Sequence, residues 1–405
     1  MAASDPDFDV VIVGAGIVGL ATAAALARWH SPLRVVVVDK EDVTAAHQSG
    51  RNSGVIHSGV YYAPDSAKAR LCRRGRAMLV RYCGENGIAH EICGKVIVAT
   101  SDDELGRLDD LERRGTANGV SLERIGPGRL RELEPYVHGV AALHVHDAGI
   151  VDYPGVCTAL SHDVVAGGGE VRLGTEVLSL NESPRSVEIT TSAGDISARW
   201  LVNCAGLFAD TVAAMAGVET DLRILPMRGE YMDLRPQRRH LVQNLIYPVP
   251  DPSFPFLGVH LTRTIGGGIH AGPNAVPALA REGYDWLTVD LGHVRTLIDA
   301  PVRRLGLRHW RTALDEITRS WSPGRFGDAV RRLVPAVRDE DLEFAPAGVR
   351  AQALDGRGNL VDDFAFADSN RGVHVLNAPS PGATASLAIG EEIAARLTER
   401  IVAAD

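Results

Sequence analysis

The sequence predicts an α/β fold in which one sheet of the nucleotide-binding type is assembled from separated segments. Strand-turn-helix patterns that carry this prediction occur near residues 14, 205 and 380. The first is the most complete, because an apolar run, a glycine-rich turn, an alanine-rich helix and a second valine-rich strand follow one another. Since the three patterns are far apart in the chain, we expect a second, α+β domain to be inserted between them.

Composition excludes several classes of protein. The 405 residues are 45% hydrophobic and 23% charged, enough for a large core and for about two or three domains. The net charge of -9 argues against a nucleic-acid partner, because phosphate binding needs a basic surface. Five cysteines lie far apart without a C-x-x-C pair, so we expect a reduced, cytoplasmic chain without a disulfide framework or a zinc site.

The longest uncharged stretch, residues 10–27, is rich in glycine and alanine and predicts a buried strand, a turn and a tightly packed helix. We therefore expect no transmembrane segment. No lysine or arginine precedes the stretch, so a secretory signal is not expected either. Arginine-rich helix faces at 70–76 and 303–311 leave a peripheral membrane contact open.

The first βαβ unit consists of a strand at 8–13, a helix, and a second strand at 34–39. In such a turn, glycines allow a tight bend, close approach of backbone amides to a pyrophosphate, and close packing of helix on strand. Asp39 ends the second strand 20 residues after Gly19, where an acid accepts hydrogen bonds from a ribose. The expected dinucleotide contacts here are Gly14, Ala15, Gly16, Ile17, Gly19, Asp39 and Lys40.

A polar segment at 47–62 follows Asp39, where a plain NAD domain would continue to alternate helices and strands. It is expected to wrap the ligand. The glycine turn alone leaves the choice between NAD and FAD open. The candidate contacts in this segment are Gln48, Ser49, Asn52, Ser53 and Gly54.

Further along, periodicity predicts helices at 66–86, 103–118, 153–166, 209–216, 290–305, 310–320 and 385–402. It predicts strands at 94–100, 141–146, 170–173, 176–181, 186–191, 195–200, 200–206, 227–234, 256–262, 268–271 and 373–377. The turn after residue 204 could present Ala205 and Gly206 to a cofactor.

Seven longer stretches carry a resemblance that covers the chain from end to end. They are QSGRNSGVIHSGVYY (48–62), CGKVIVAT (93–100), MRGEY (227–231), LIYPVPDPSFPFLGVH (245–260), GPNAV (272–276), PAGVRAQAL (346–354) and NAPSPGAT (377–384). With these stretches, the sequence resembles the D-amino-acid-oxidase-like superfamily of FAD enzymes, and within it the L-2-hydroxyglutarate oxidase/dehydrogenase family. That family more often has His at position 51, Glu at 39 and Ala at 382, where this chain has Arg51, Asp39 and Gly382.

The resemblance implies an α/β architecture, namely a Rossmann-like FAD-binding domain assembled from discontinuous segments with an inserted α+β substrate domain (mixed sheet). We expect residues 1–90, 150–217 and 346–405 to bind FAD, and 91–149 and 218–345 to form the substrate-binding domain. FAD contacts are also expected at Val177, Pro381, Gly382, Ala383 and Thr384. The last four open a helix whose amides would stabilise negative charge on the reduced ring.

The implied activity is FAD-dependent oxidation of L-2-hydroxyglutarate to 2-oxoglutarate. The alternative is the same chemistry on another 2-hydroxy acid, alcohol or amine, in a specialised biosynthetic pathway for instance. His57 is the first candidate for the base and His260 its rival, since a neutral imidazole accepts a proton near neutral pH. Arg350 is the candidate for binding the carboxylate as a planar fork.

A five-carbon diacid needs a second anchor, which Tyr62, Arg228 or Asn274 could supply. Arg228 could equally pair with Glu230 as a structural bridge. The electron acceptor stays open between oxygen, a quinone and a carrier, and the chain is expected in the cytoplasm or on the inner membrane face. No metal is expected, although His144 and His146 share a strand face.

Overall fold

The structure is a computed structural model that describes residues 5–29, 33–251 and 257–404. In chain order its strands are β1 (Phe8–Val13), β2 (Val35–Val38), β3 (Val55–Ile56), β4 (His90–Glu91), β5 (Lys95–Ala99), β6 (Leu122–Ile125), β7 (Ala141–Val145), β8 (Gly149–Val151), β9 (Glu170–Arg172), β10 (Val177–Glu182), β11 (Val187–Thr191), β12 (Gly194–Asn203), β13 (Arg223–Leu234), β14 (Leu245–Pro248), β15 (His260–Arg263), β16 (Ile269–Gly272), β17 (Val276–Pro277), β18 (Leu342–Leu354), β19 (Ala365–Asp368) and β20 (Gly372–Asn377). The α-helices are α1 (Ile17–Trp29), α2 (Ala67–Glu85), α3 (Leu105–Ala117), α4 (Pro127–Leu133), α5 (Tyr153–Ala166), α6 (Ala209–Met215), α7 (Leu291–Leu297), α8 (Ala300–Arg308), α9 (Trp310–Trp321), α10 (Pro323–Leu333) and α11 (Ser386–Ala404).

The first large sheet is parallel at its centre. Strand β1 lies between β2 and β12 and is parallel to both, with Val10 opposite Val35 on one side and Trp200 on the other. Strands β9 and β20 extend the parallel part beyond β2 and β12, and the β10–β11 hairpin and β19 are antiparallel additions. Because these strands come from three separated stretches of chain, the predicted assembly from discontinuous segments is confirmed.

The core of this sheet explains its apolar sequence. Val10 and Ile12 are fully buried and pack with the alanine-rich face of α1 and the aliphatic face of α11. The two helices approach closely at Gly390, where an added Cβ would lie 2.6 Å from the carbonyl carbon of Ala21. The small residues of α1 therefore serve helix packing rather than a membrane span. In the described part of the chain, no helix is both long and apolar enough to cross a bilayer.

The second large sheet has nine strands in the order β17-β13-β16-β15-β14-β5-β7-β6, with β18 also paired to β13. Strands β14 and β5 run parallel, whereas the other pairs are antiparallel, so the predicted mixed sheet is confirmed. The long β13–β18 ladder places Arg350 opposite Met227. A small third sheet, in the order β3-β8-β4, lies beside the segment that carries His57.

Several elements differ from the sequence prediction for physical reasons. Strand β12 is one continuous strand where two were predicted, and the predicted helix at 290–305 is divided into α7 and α8 because Pro301 starts a new helix. Strand β18 was not predicted; Pro346 lies at a register shift of its ladder, where proline is tolerated. The start of the strand predicted at 256–262, and residues 252–256 of the matching motif, lie outside the described residues.

The division into two domains stays a prediction. The domain boundary predicted at residue 346 falls inside β18, a strand of the second sheet.

Candidate active site

A cavity of about 1520 Å³ is lined by residues of both large sheets. It contacts most of the residues that the sequence singled out. These are Gly14, Gly16, Ile17, Asp39, Lys40, Gln48, Ser49, Asn52, Ser53, His57, Tyr62, Val177, Ala205, Gly206, His260, Arg350, Pro381, Gly382 and Ala383. Distant stretches of chain thus converge on one site.

The turn between β1 and α1 exposes bare backbone to the cavity. Gly14 has a φ of 111°, and a Cβ there would lie 2.5 Å from the carbonyl oxygen of Cys204. A Cβ on Gly19 would lie 2.0 Å from the oxygen of Gly14, so this glycine permits the turn to pack on its own helix. The result is the open cradle that a pyrophosphate requires at a helix N-terminus.

Asp39 lies at the end of β2 and lines the cavity. Its carboxylate accepts hydrogen bonds from the amides of Ala15 at 2.7 Å and Glu41 at 3.0 Å. These bonds fix the carboxylate in place beside the turn, as a ribose-binding acid requires.

The segment at 48–54 is held by its own amide side chains. Asn52 donates hydrogen bonds to the carbonyl oxygens of Gln48 and Ser49, and its Oδ1 accepts one from the amide of Gly54 at 2.8 Å. The Gln48 side chain accepts a hydrogen bond from the amide of Ala351 at 2.8 Å, which ties the segment to β18. The segment is therefore held by its own side chains and by a strand of the second sheet.

Four predicted cofactor contacts do not line the cavity in the described structure and act from behind it. Ala15, Gly19 and Gly54 support the neighbouring turns. Thr384 is fully buried, and its hydroxyl accepts a hydrogen bond from the amide of His57 at 3.1 Å and lies 2.9 Å from the hydroxyl of Tyr153. For these four residues the structure shows a supporting role, and direct contact with the cofactor stays a prediction.

A charged cluster, consisting of Lys40, Glu41, His47, Glu282 and Tyr284, joins the nucleotide segments to the chain that follows β17. Glu282 pairs with Lys40 at 2.7 Å and with His47 at 2.9 Å, and the His47 and Tyr284 rings stack. Burial alone would raise the pKa of Glu282, but hydrogen bonds from His47 and Lys40 lower it to about 2. The cluster lies where Asp39 and Lys40 line the cavity.

The other end of the cavity is lined by His57, His260, Arg350 and several tyrosines. The His57 ring lies with Nε2 3.3 Å from the hydroxyl of Ser380, in the C-terminal turn. Burial, reinforced by the charge of Lys95, lowers the pKa of His57 to about 3. The imidazole is therefore neutral at neutral pH and can accept a proton.

His260 is buried and stacks on the ring of Tyr247, with ring centroids 4.0 Å apart. Its Nδ1 lies 2.9 Å from the carbonyl oxygen of Gly258, which assigns the proton to Nδ1 and leaves Nε2 as an acceptor. Burial lowers the pKa of His260 to about 3, so this imidazole is neutral too. Both candidate bases therefore have the protonation state that the chemistry needs.

Arg350 lies on β18 and lines the cavity, close enough to His57 and His260 for its charge to help lower the pKa of both. It lies near Tyr231: burial raises the pKa of Tyr231, and the charge and hydrogen bonding of Arg350 oppose that shift. Tyr62 also lines this end, and burial raises its pKa well above the usual value, so its hydroxyl stays protonated.

Two of the predicted substrate anchors, Arg228 and Asn274, have protein partners in the described structure, and their contact with substrate stays a prediction. Arg228 is fully buried, pairs with Glu230 at 2.9 Å and lies over the Trp286 ring. Asn274 donates to Glu230 at 2.7 Å, and neither residue lines the cavity. For Arg228 the reason is alternation along β13, because Gly229 and Tyr231 line the cavity and the residues that alternate with them point to the other face. Asn274 lies between β16 and β17, where Glu230 holds its side chain.

Sequence reasoning missed three tyrosines of this site, Tyr61, Tyr231 and Tyr247. Tyr231 could have been found from the alternation in MRGEY, once one position of that strand had been assigned to the cavity. Tyr247 gives no comparable signal, because it sits in the short apolar strand β14 like any core residue.

Two clusters within the described residues offer three metal-ligand atoms each, namely Glu123 with His144 and His146, and Glu41 with His47 and Glu282. In both, the histidine already contacts a carboxylate, at 3.3 Å from His144 to Glu123 and at 2.9 Å from His47 to Glu282. The absence of a resident metal stays a prediction.

Comparison with known proteins identifies the family. The model of the FAD-dependent oxidoreductase family (DAO) matches residues 9–396. The chain belongs to this family.

Several relatives of this oxidoreductase bear one name. This chain is 46% identical over 387 residues to the L-2-hydroxyglutarate dehydrogenase of Indibacter alkaliphilus, and the alignment covers 95% of this chain and 97% of the relative. It is 41% identical to the L-2-hydroxyglutarate dehydrogenase of Escherichia coli K12, with 96% of this chain and 93% of the relative covered. It is 42% identical to the human mitochondrial L-2-hydroxyglutarate dehydrogenase, with 98% of this chain and 90% of the relative covered.

Solved structures agree on the fold of the oxidoreductase. L-alpha-glycerophosphate oxidase from Mycoplasma pneumoniae, with FAD bound, superposes with a TM-score of 0.80 at 23% identity, covering 96% of this chain and 94% of that one. Glycine oxidase from Geobacillus kaustophilus superposes with a TM-score of 0.72 at 20% identity, covering 97% of this chain and 95% of that one.

The oxidoreductase is FAD-dependent, and the residues of its cavity fit FAD. The turn at Gly14 and Gly16 lines the cavity with backbone alone and would hold the pyrophosphate. A side chain at Gly14 would collide with the backbone of Cys204, so the turn can form only with glycine there. Asp39 would hold the ribose. The turn formed by Pro381, Gly382 and Ala383 lines the cavity just before α11 and would contact the flavin ring.

Proposed function

We propose that this oxidoreductase oxidises L-2-hydroxyglutarate to 2-oxoglutarate. The observation that supports it most is the meeting of one guanidinium and two neutral imidazoles, Arg350, His57 and His260, at one end of the FAD-type cavity. The names of the relatives in bacteria and animals support the choice of substrate.

The reaction removes a hydride from C2 of the hydroxy acid and a proton from its hydroxyl. FAD, when bound, supplies the hydride acceptor. The residues of the chain then have two tasks, which are to hold the carboxylate and to take the proton. The Arg350 guanidinium would bind the C1 carboxylate through two parallel hydrogen bonds, which fixes the orientation of C2.

His57 is the proposed base. Its imidazole is neutral at neutral pH, and its backbone is held by Thr384 at the C-terminal turn, on the side where the flavin would lie. His260 has a free Nε2 lone pair as well and would accept a hydrogen bond from the substrate hydroxyl. The rings of Tyr61, Tyr62 and Tyr247 also line the cavity.

The electron acceptor is predicted to be oxygen, a quinone or a carrier, since each needs only access to the edge of the reduced ring. The cytoplasm, with contact to the inner membrane face as the alternative, is likewise the predicted location.

The substrate is tested by mixing the FAD-loaded protein anaerobically with L-2-hydroxyglutarate, its D-enantiomer, L-lactate and L-glutamate. Flavin absorbance should bleach with the first compound only, because the others have the opposite configuration, lack the second carboxylate or carry an amine. Bleaching by another compound would reassign the substrate. In the same assay, Arg350→Met should weaken capture of L-2-hydroxyglutarate about 10- to 100-fold while FAD stays bound.

Arg113→Met is the matched control, since Arg113 also carries one positive charge but its side chain is 78% exposed and pairs with Asp110 on α3. It should leave capture unchanged. If Arg350→Met also leaves capture unchanged, Arg350 does not bind the carboxylate.

A further inference from the structure

Lys95, the first residue of β5, is a buried lysine that the chemistry described above does not use. Its residue is 1% exposed. Its ammonium nitrogen lies 4.5 Å from the ring centroid of Tyr61 and 4.7 Å from that of Tyr247. Both rings line the substrate end of the cavity, so Lys95 lies directly behind the cavity wall.

Lysine is almost never buried without an anionic partner, because desolvation strongly disfavours the charge. In the described part of the chain, no carboxylate pairs with Lys95; its contacts are the faces of two phenol rings. Aromatic faces attract a cation but carry no net charge. When Lys95 is protonated, its positive charge is therefore not balanced by a neighbouring carboxylate.

The titratable groups around Lys95 make this imbalance larger. From α2 come Cys72, whose pKa burial raises to about 12, and Arg76, which is already paired with Asp147 at 2.7 Å. The facing histidines are neutral, and burial raises the pKa values of both facing tyrosines, so these groups carry no charge at neutral pH. The other cations whose charges act on His57 are Arg350 and Lys68, and Lys68 is paired with Asp362 at 2.7 Å. Burial lowers the pKa of Lys95 itself to about 7.

We propose that Lys95 is a positioning residue for a dianionic substrate, taking one proton from solvent when a dicarboxylate binds and thereby supplying, through the Tyr61 and Tyr247 rings, the second positive charge beside Arg350. This inference rests on the proposed function, because it takes the substrate to be a diacid. A diacid needs a second positive charge to balance its second carboxylate. Neither Arg228 nor Asn274 lines the cavity, whereas a protonated Lys95 would supply that charge from behind its wall. A monocarboxylate would be balanced by Arg350 alone and would not need the extra proton.

The proton uptake can be measured directly. Glutarate, a five-carbon diacid without the reacting hydroxyl, is titrated into the FAD-loaded protein by calorimetry in two buffers of different ionisation enthalpy. At about pH 8 we expect uptake of a large fraction of one proton, and at about pH 6 almost none, because Lys95 is then already protonated. Pentanoate, the matching monocarboxylate, should show little uptake at either pH.

The choice of about pH 8 isolates Lys95 from its neighbours. The cysteine and tyrosines are protonated before and after binding there, and the histidines would need their pKa values raised by several units to contribute. Equal uptake at both pH values, or none with glutarate at about pH 8, would overturn the proposal.

Lys95→Met preserves the length and apolar stem of the side chain and removes the titrating group. It should abolish uptake at about pH 8 and weaken glutarate binding about tenfold at about pH 6, with pentanoate changed less than about threefold. Lys68→Met is the control, because Lys68 lines the same cavity but is paired with Asp362 at 2.7 Å, and it should retain the uptake.

If Lys95→Met fails to fold, the two-pH comparison on the unmodified protein still decides the question. Failure of this inference is separable from failure of the proposed function. Flavin bleaching by L-2-hydroxyglutarate together with glutarate binding that takes up no proton would reject the role of Lys95 alone. Absence of bleaching by L-2-hydroxyglutarate would reject the substrate first.

Discussion

His57 and His260 reach the same cavity from different parts of the chain, and burial holds both neutral. At the scale of single residues, what separates them is their surroundings. His57 is attached through its backbone to Thr384 and through its ring to Ser380, both in the C-terminal turn. His260 is fixed by the carbonyl of Gly258 and by the Tyr247 ring, in the second sheet. The first arrangement favours a base next to the flavin, and the second favours a substrate contact.

We expect His57→Asn to slow flavin reduction by about 10²- to 10⁴-fold with little change in substrate affinity, and His260→Asn to affect mainly affinity. Stopped-flow measurement of flavin reduction over a range of substrate concentrations separates the two effects. Because the pKa of His57 lies near 3, the wild-type reduction rate should stay level as the pH falls from about 8 to about 5. If the two variants exchange these effects, His260 is the base.

At the scale of elements, the close contact of α1 with α11 sets the position of the nucleotide cradle. The first helix begins at Ile17, directly after the glycines that line the cavity, and it packs on α11 through Gly390. The last helix in turn follows the C-terminal turn that lines the flavin end. One helix pair thus couples the two ends of the cofactor site.

Gly390→Ala should therefore destabilise the protein by about 1–3 kcal/mol, since its Cβ would meet backbone atoms of Ala21 that cannot move away alone. Urea unfolding of the FAD-loaded protein measures the effect. Gly84→Ala is the control: Gly84 lies in α2 with no heavy atom of the described structure within 4 Å of its added Cβ. That variant should be neutral or more stable by up to about 1 kcal/mol. Wild-type stability of Gly390→Ala would contradict this account of the helix contact.

At the scale of the whole molecule, the charged cluster around Glu282 joins the second sheet region to the nucleotide segments. Burial alone would lower the pKa of His47, but hydrogen bonds to Glu282 and Glu41 outweigh it and raise the pKa. A raised histidine pKa stabilises the fold below the ordinary value of 6.5, and this contribution is lost as the pH rises through the folded value. The lowered pKa of Glu282 stabilises above 4.5 and is lost as the pH falls towards about 2.

Both contributions are present together between pH 4.5 and 6.5. We expect His47→Gln to lower the free energy of unfolding most in this window, by about 1 kcal/mol or less because the pair is partly exposed, and least at about pH 9. Urea unfolding at both pH values checks this, with exposed His138→Gln as the control that should show no such difference. A loss that grows towards alkaline pH would contradict the assigned pairing.

The nucleotide half of the site could be predicted from the sequence because its signals are local. Glycine spacing, the position of Asp39 and the polar segment after it are properties of one continuous stretch of chain, and residues of all three line the cavity. The long strand β18 could not be predicted, since Pro346 interrupts its pattern and its partner β13 is more than a hundred residues away.

By itself, the sequence determined the fold class, the FAD-type cradle and the candidate residues His57, His260 and Arg350, because residue type and short-range spacing carry that information. Only the tertiary structure decided which neighbours share the cavity. Strand alternation turned Arg228 away from it, and Glu230 holds Asn274 between β16 and β17. Strand pairing brought Tyr231 and Tyr247 to its wall and placed Lys95 behind them. A face of a strand is chosen by the register of distant partners, and no local pattern encodes that choice.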